Sequence, residues 1–102
     1  MNNIYNFLGL AFRANKVITG ESVLKGIRSK RVDLVIIASD ASENTKKKFI
    51  DKCQFYHVDY LILEDSTHLS NAIGKSNRMV FGITDRGFSN TLKDKVRRLT
   101  NG

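Results

Sequence analysis

The run Leu34-Val35-Ile36-Ile37-Ala38 is apolar at every position, and that lack of alternation restricts what the chain can fold into. A strand with one wet face alternates apolar and polar residues. A strand that does not alternate must be covered on both faces, as in a sheet held between helical layers. Tyr60-Leu61-Ile62-Leu63 and Met79-Val80-Phe81-Gly82-Ile83 read the same way. The covering layers are visible as helical periods. Ile4, Phe7, Leu8 and Ala11 recur at i, i+3, i+4 and i+7 over roughly residues 2–13. After the short apolar pair Val17-Ile18, Thr19 is placed to cap a second helix, in which Val23, Leu24 and Ile27 share a face and which ends near Lys30-Arg31.

Phe49, Ile50 and Cys53 form a narrow stripe on a third helix whose other faces carry Lys46, Lys47, Lys48, Asp51 and Lys52. Asp40 followed by Glu43, or Ser42, is its candidate cap. A shorter helix follows Asp65-Ser66 and stops at Gly74, and a last one aligns Phe88, Leu92, Val96 and Leu99. Helices alternating with strands predict an α/β fold, a three-layer α-β-α sandwich around a small and mostly parallel sheet.

The 102 residues suffice for one domain, 1–102, and no Gly-, Ser- or Pro-rich linker or internal repeat divides them. A single Cys cannot form an internal disulfide, so the cytosol is the expected compartment. Met1-Asn2-Asn3-Ile4 starts no basic segment followed by a long apolar stretch, and no apolar run approaches the ~18 residues of a membrane span. The expectation is therefore a cytoplasmic protein without a membrane partner. With 17 Lys and Arg against 10 Asp and Glu, the net charge is +7, which favours anionic partners. Residues 1–51 hold nine Lys and Arg against five acids, and the remainder eight against five. The excess thus belongs to a folded surface and not to a tail.

The familiar catalytic patterns are incomplete. Gly74-Lys75-Ser76 resembles the end of a phosphate-binding loop, but Leu69 stands where that pattern needs Gly, and the segment follows a helix instead of a strand. No G-x-G-x-x-G occurs. Ser22-Val23-Leu24-Lys25 matches the S-x-x-K of acylating enzymes without the motifs that accompany it. Cys53 and His57 are four apart and His68 is isolated, which reads as a buried thiol and surface imidazoles with no metal site. Asp40, just after a central strand, is either a helix cap or an acceptor at the strand ends, where α/β sheets bind ligands. No Ser/His/Asp set or carboxylate pair, the convergent sets that acid–base work usually needs, appears in the sequence.

The distribution of positive charge remains. Arg13, Lys16, Lys25, Arg28, Lys30 and Arg31 face the single Glu21 across residues 13–31, a stretch that includes the start of the second helix. A helix N-terminus offers free N–H groups and partial positive charge, both suited to phosphate. With Lys75 and Arg78, which follow another helix, these residues compose either an anion-binding edge or a set of scattered solvated cations.

Leu8-Gly9-Leu10-Ala11-Phe12-Arg13-Ala14, Thr19-Gly20-Glu21-Ser22-Val23-Leu24-Lys25, Leu34 to Asp40, and Leu69-Ser70-Asn71-Ala72-Ile73-Gly74-Lys75 follow one another at distances that resemble the L7Ae family of kink-turn RNA-binding ribosomal proteins, in particular its small bacterial YlxQ-like branch. The resemblance covers nearly the whole chain. It implies an α-β-α sandwich with a mixed four-stranded sheet, no cofactor and no catalysis. It also implies structured RNA, kink-turn or ribosomal, as partner, with ribosome association. Carried over residue by residue, the RNA-binding positions are Lys16, Thr19, Gly20, Glu21, Ser22 and Lys25 in one segment and Gly74, Lys75, Ser76, Asn77 and Arg78 in the other. Two segments depart from the family pattern: Thr19-Gly20-Glu21-Ser22 stands where the family has the Gly-Thr-Asn-Glu of G-T-N-E-x-x-K, and Ser70 replaces the second residue of L-G-x-A-x-G.

Two other readings compete. One is a small regulatory or ligand-sensing α/β domain with a pocket at the strand ends near Asp40. The other is a protein-docking module whose basic face meets an acidic partner.

Overall fold

A computed structural model describes residues 2–63 and 65–101; the part of the N-terminal reading that concerns Met1 lies outside them. In chain order the elements are α1 (Asn2–Arg13), β1 (Val17–Thr19), α2 (Glu21–Arg28), β2 (Leu34–Ala38), α3 (Glu43–Tyr56), β3 (Asp59–Leu63), α4 (Ser66–Ala72), β4 (Val80–Ile83) and α5 (Arg86–Asn101). Among the described residues, no helix is long and apolar enough to cross a membrane.

The unbroken apolar run becomes β2, and its residues divide between two cores. Leu34, Ile36 and Ala38 pack with Ile4, Leu8 and Ala11 of α1, Leu69 of α4 and Leu92 of α5. Val35 and Ile37 pack on the opposite face with Val23, Leu24 and Ile27 of α2 and with Phe49 and Cys53 of α3. Successive strand side chains point to opposite faces. Helices on both faces therefore leave no position on β2 for a polar residue. Each fully buried Leu, Ile or Val stabilises the fold by about 1.5–3 kcal/mol.

The sheet order is β1-β4-β2-β3. β4 runs antiparallel to both β1 and β2, and β2–β3 is parallel. The mixed four-stranded sandwich implied by the resemblance is the fold observed, whereas the mostly parallel sheet read from the apolar runs is corrected. Burial on both faces follows from having two helical layers and carries no information about strand direction.

Other local expectations are also revised. β3 is an edge strand, with Asp59 exposed, Tyr60 and Leu61 half-buried and Ile62 exposed, so its apolar run does not signal full burial. Met79 precedes β4 with its side chain exposed, although its carbonyl accepts from the Ala38 N–H at 2.8 Å. Leu99 shares the face of Phe88, Leu92 and Val96 but is exposed, near the end of α5 and outside the core in which those three pack. Thr19 is not the cap of α2: it pairs with Phe81 as the last residue of β1, and Gly20 takes the cap position. Ser42 caps α3 by accepting from the Thr45 N–H at 3.1 Å. Asp40 instead reaches α4, where Oδ1 accepts from the Ser66 N–H at 2.8 Å and Oδ2 from the Ser66 hydroxyl at 2.6 Å.

Candidate nucleic-acid interface

The candidate edge begins where β1 becomes α2. Gly20 makes that corner at φ 67°, ψ −139°, a backbone region that a residue with a Cβ enters only under strain. Gly20 has no side chain to cap the helix. Its carbonyl accepts from the Val23 N–H at 3.0 Å; Glu21 and Ser22 are exposed in the first turn of α2, the positive end of the helix, where backbone N–H groups have no carbonyl partner within the helix.

The register of β1 against β4 fixes what lies beside this corner. Thr19 opposite Phe81 brings the residues just before β4 alongside Gly20. Gly20 and Glu21, then Asn77, Arg78, Met79 and Val80, line a shallow groove of about 270 Å³ whose third wall is Thr45, Lys48 and Phe49 of α3. Segments more than fifty residues apart in the chain thus meet at one groove.

The loop that supplies Asn77 and Arg78 is tightly held. Gly74 leaves α4 at φ 71°, with its N–H donating to the Asn71 carbonyl at 3.0 Å and the Lys75 N–H donating to Ser70 at 2.9 Å. Asn77 adopts a left-handed φ of 57°, a conformation that Asn tolerates better than most residues. Ser70, buried on α4, accepts from the Arg78 N–H at 2.9 Å and donates to the Arg78 carbonyl at 3.0 Å. Both backbone groups of Arg78 are therefore fixed by one hydroxyl. The Arg78 guanidinium donates to the Ser76 carbonyl at 2.8 Å.

Of the residues singled out from sequence, Gly20, Glu21, Asn77 and Arg78 converge on the groove. Thr19 ends the strand beside it. Ser22 and Lys25 are exposed on α2, Lys25 one turn beyond Glu21, while Gly74 and Ser76 are exposed on the loop. Lys75 leans away toward α1, with Nζ 5.7 Å from the centroid of the Phe12 ring. Lys16 lies before the other end of β1, where its carbonyl accepts from the Thr84 N–H at 2.8 Å, roughly 10 Å from Thr19 along the strand.

Two participants were not read from the sequence. Lys48 of α3 lies with Nζ 3.9 Å from Glu21 Oε1. Ser70 had been noted only as a departure from a pattern, and it is the anchor of the loop. Neither carries a local signal, because each acts on a residue brought near by tertiary packing.

The competing features are absorbed structurally. The Ser66 hydroxyl, and next the Ser66 N–H, hold the Asp40 carboxyl below the usual carboxylate range, with both its oxygens occupied. Burial, with a smaller contribution from the charge of Asp59, pushes the Cys53 thiol up to about 12. That thiol is protonated and inert at neutral pH. His57 terminates α3 in a left-handed conformation and is exposed. Among the described residues, no three His, Cys, Asp or Glu side chains could together hold a metal ion.

Comparison with known proteins gives a consistent result. The ribosomal protein L7Ae/L30e/S12e/Gadd45 family matches residues 2–93. The RNA-binding protein YlxQ of Bacillus subtilis is 48% identical over 89 residues, covering 86% of this chain and 89% of that protein. The RNA-binding protein YlxQ of Enterococcus faecium is 45% identical over 92 residues, covering 89% of this chain and 88% of its own length. A solved structure of a Bacillus halodurans protein of unknown function superimposes with a TM-score of 0.87 at 42% identity, over 89% of this chain and 93% of that one. The Giardia lamblia 15.5kD RNA binding protein shares the fold, with a TM-score of 0.76 at 20% identity over 95% of this chain and 84% of its own.

Proposed function

The chain belongs to the ribosomal protein L7Ae/L30e/S12e/Gadd45 family, and from that premise we propose that it is a non-enzymatic, cytoplasmic RNA-binding protein that grips structured RNA along the edge formed by the start of α2 and the loop before β4. The observation that carries this reading is the groove where Gly20 and Glu21 meet Asn77 and Arg78. It combines the exposed N-terminus of a helix, with its partial charge, and a cation on a hydrogen-bonded loop, and phosphate recognition uses those same groups. Names carried by close relatives in two bacteria agree with it.

Lys25, Lys75 and Arg78 meet phosphates in this reading, and Lys16 does so only if the RNA follows β1 to its far end. Glu21 and Ser22 face base edges, and Thr19 and Gly20 allow close backbone approach. Gly74, Ser76 and Asn77 shape the loop. Residues 1–102 act as one RNA-binding domain. A kink-turn, of ribosomal or other origin, is the partner that the family resemblance favours, and recognition through shape and backbone contacts suits a groove of helix-end and loop groups.

The test is the affinity for a kink-turn RNA and for a matched straight duplex across a salt series. Tighter binding of the kink-turn is expected. Equal affinities would remove the kink-turn preference and leave general RNA binding. Lys25→Ala and Arg78→Ala should each weaken binding and flatten the salt dependence by about one phosphate contact. Unchanged affinity and slope in both variants would place the interface elsewhere.

A further inference from the structure

We propose that Lys48 is a positioning residue of the RNA-binding edge, acting through Glu21: its ammonium offsets the carboxylate at the mouth of the groove, so that RNA phosphates can approach the N-terminus of α2. This inference rests on the reading that the edge binds RNA. It gives the α3 wall of the groove a part in binding.

The three consecutive lysines of α3 are engaged differently. Lys46 lies 3.5 Å from Glu43 and Lys47 3.1 Å from Asp51, both on the same helix. Lys48 instead reaches across to α2, with Nζ 3.9 Å from Glu21 Oε1. It also lines the groove that Arg78 lines, and Nζ lies 5.9 Å from the centroid of the adjacent Phe49 ring. Its ammonium thus lies near both the Glu21 carboxylate and the Phe49 ring at the groove wall.

Glu21 creates the need for it. The Glu21 side chain is 83% exposed in the first turn of α2. There a carboxylate suits the helix dipole but repels the anion that the same helix end attracts. In the free protein the Lys48–Glu21 pair is solvated, and exposed pairs contribute little to folding. RNA covering the groove displaces water, and the same two charges then interact in a lower dielectric. Lys48 therefore matters to binding and hardly at all to stability. Loss of Lys48 would leave the Glu21 carboxylate, which faces base edges in this reading, unopposed beside the phosphates drawn to the same helix end.

A double-mutant cycle tests this with fluorescence anisotropy on a labelled kink-turn RNA, with thermal unfolding measured in parallel. Lys48→Ala should weaken binding about fivefold or more while leaving the unfolding midpoint unchanged. In the Glu21→Gln background the same substitution should change affinity by less than about twofold, because no carboxylate remains to offset. An equal loss in both backgrounds would overturn the proposal, since Lys48 would then contact RNA independently of Glu21. So would an unchanged affinity for Lys48→Ala beside a wild-type protein that binds. A wild-type protein that binds neither kink-turn nor duplex RNA would overturn the RNA-binding reading itself, and this inference with it.

Discussion

Two residues decide whether the proposed edge exists in a defined shape, and they do so by different means. Gly20 acts through its backbone: a Cβ there would meet nothing within 4 Å, so the requirement for glycine is the positive φ alone. Ser70 acts through one hydroxyl that satisfies both backbone groups of Arg78 from inside the molecule. Ser70→Ala removes both bonds and leaves the Arg78 N–H without its partner. We expect a loss of about 1–3 kcal/mol in urea unfolding, with weaker RNA binding even where the variant is fully folded. Full affinity in a folded Ser70→Ala protein would show that the loop needs no anchor. The sequence exposes these two residues unequally. Gly20 is reached through the family resemblance alone, since the local pattern puts the cap on Thr19, although a glycine between a short strand and an amphipathic helix has a local reason to be there. Ser70 is eight residues from Arg78, and only the path of the loop brings them together. Lys48 is hidden in the same way, as one lysine among several on a solvated helix.

At the level of elements, the amphipathic periods of α1, α2 and α5 locate those helices because each buries one face against a sheet. The strand readings located β2 and β4 but missed the edge position of β3 and most strand directions, since a local apolar run records how many faces are covered and not what pairs beside it. Caps were the hardest feature to read. Ser42 and Asp40 both precede α3, and the local pattern cannot show that Asp40 is drawn to α4, the helix that follows β3. That link from the end of β2 to the first turn of α4 makes the fold sensitive to acid. The hydrogen bonds from Ser66 lower the pKa of Asp40, so the stability they confer is fully present above the ordinary carboxylate range, near pH 4, and is lost as pH falls through the depressed folded value. Asp65, held low chiefly by the His68 N–H and next by its side chain, acts in the same direction. Asp40→Asn should therefore be less stable than wild type at neutral pH, with the gap closing at strongly acidic pH. Urea midpoints measured from pH 2 to 7 would check this, and a gap constant over the whole range would rule out Asp40 as a source of the acid sensitivity.

Over the whole molecule, the charge of +7 acts on folding and on binding with opposite signs. Like charges spread over a body with a 12.2 Å radius of gyration repel one another in the compact state, and salt screens that repulsion. The exposed ion pairs that salt also weakens contribute little to stability, so raising salt should hold or slightly raise the unfolding temperature. RNA binding should respond in the other direction, because each phosphate contact releases counterions that added salt drives back. Between 50 and 200 mM salt, three phosphate contacts predict a loss of roughly 40-fold in duplex affinity and four predict roughly 150-fold. The difference bears on Lys16, which stands near the far end of β1 from the groove that Arg78 lines. An RNA that stays at the groove, α2 and the loop before β4 engages Lys25, Arg78 and Lys75, the last by swinging away from the Phe12 ring, whereas one that runs along β1 adds Lys16. A slope near three that is unchanged in Lys16→Ala would confine the footprint to the groove side. A slope near four that falls by one in that variant would extend it along the edge strand. A binding constant indifferent to salt would contradict phosphate recognition at this edge altogether, because cations and helix-end N–H groups give it no other means of holding RNA strongly.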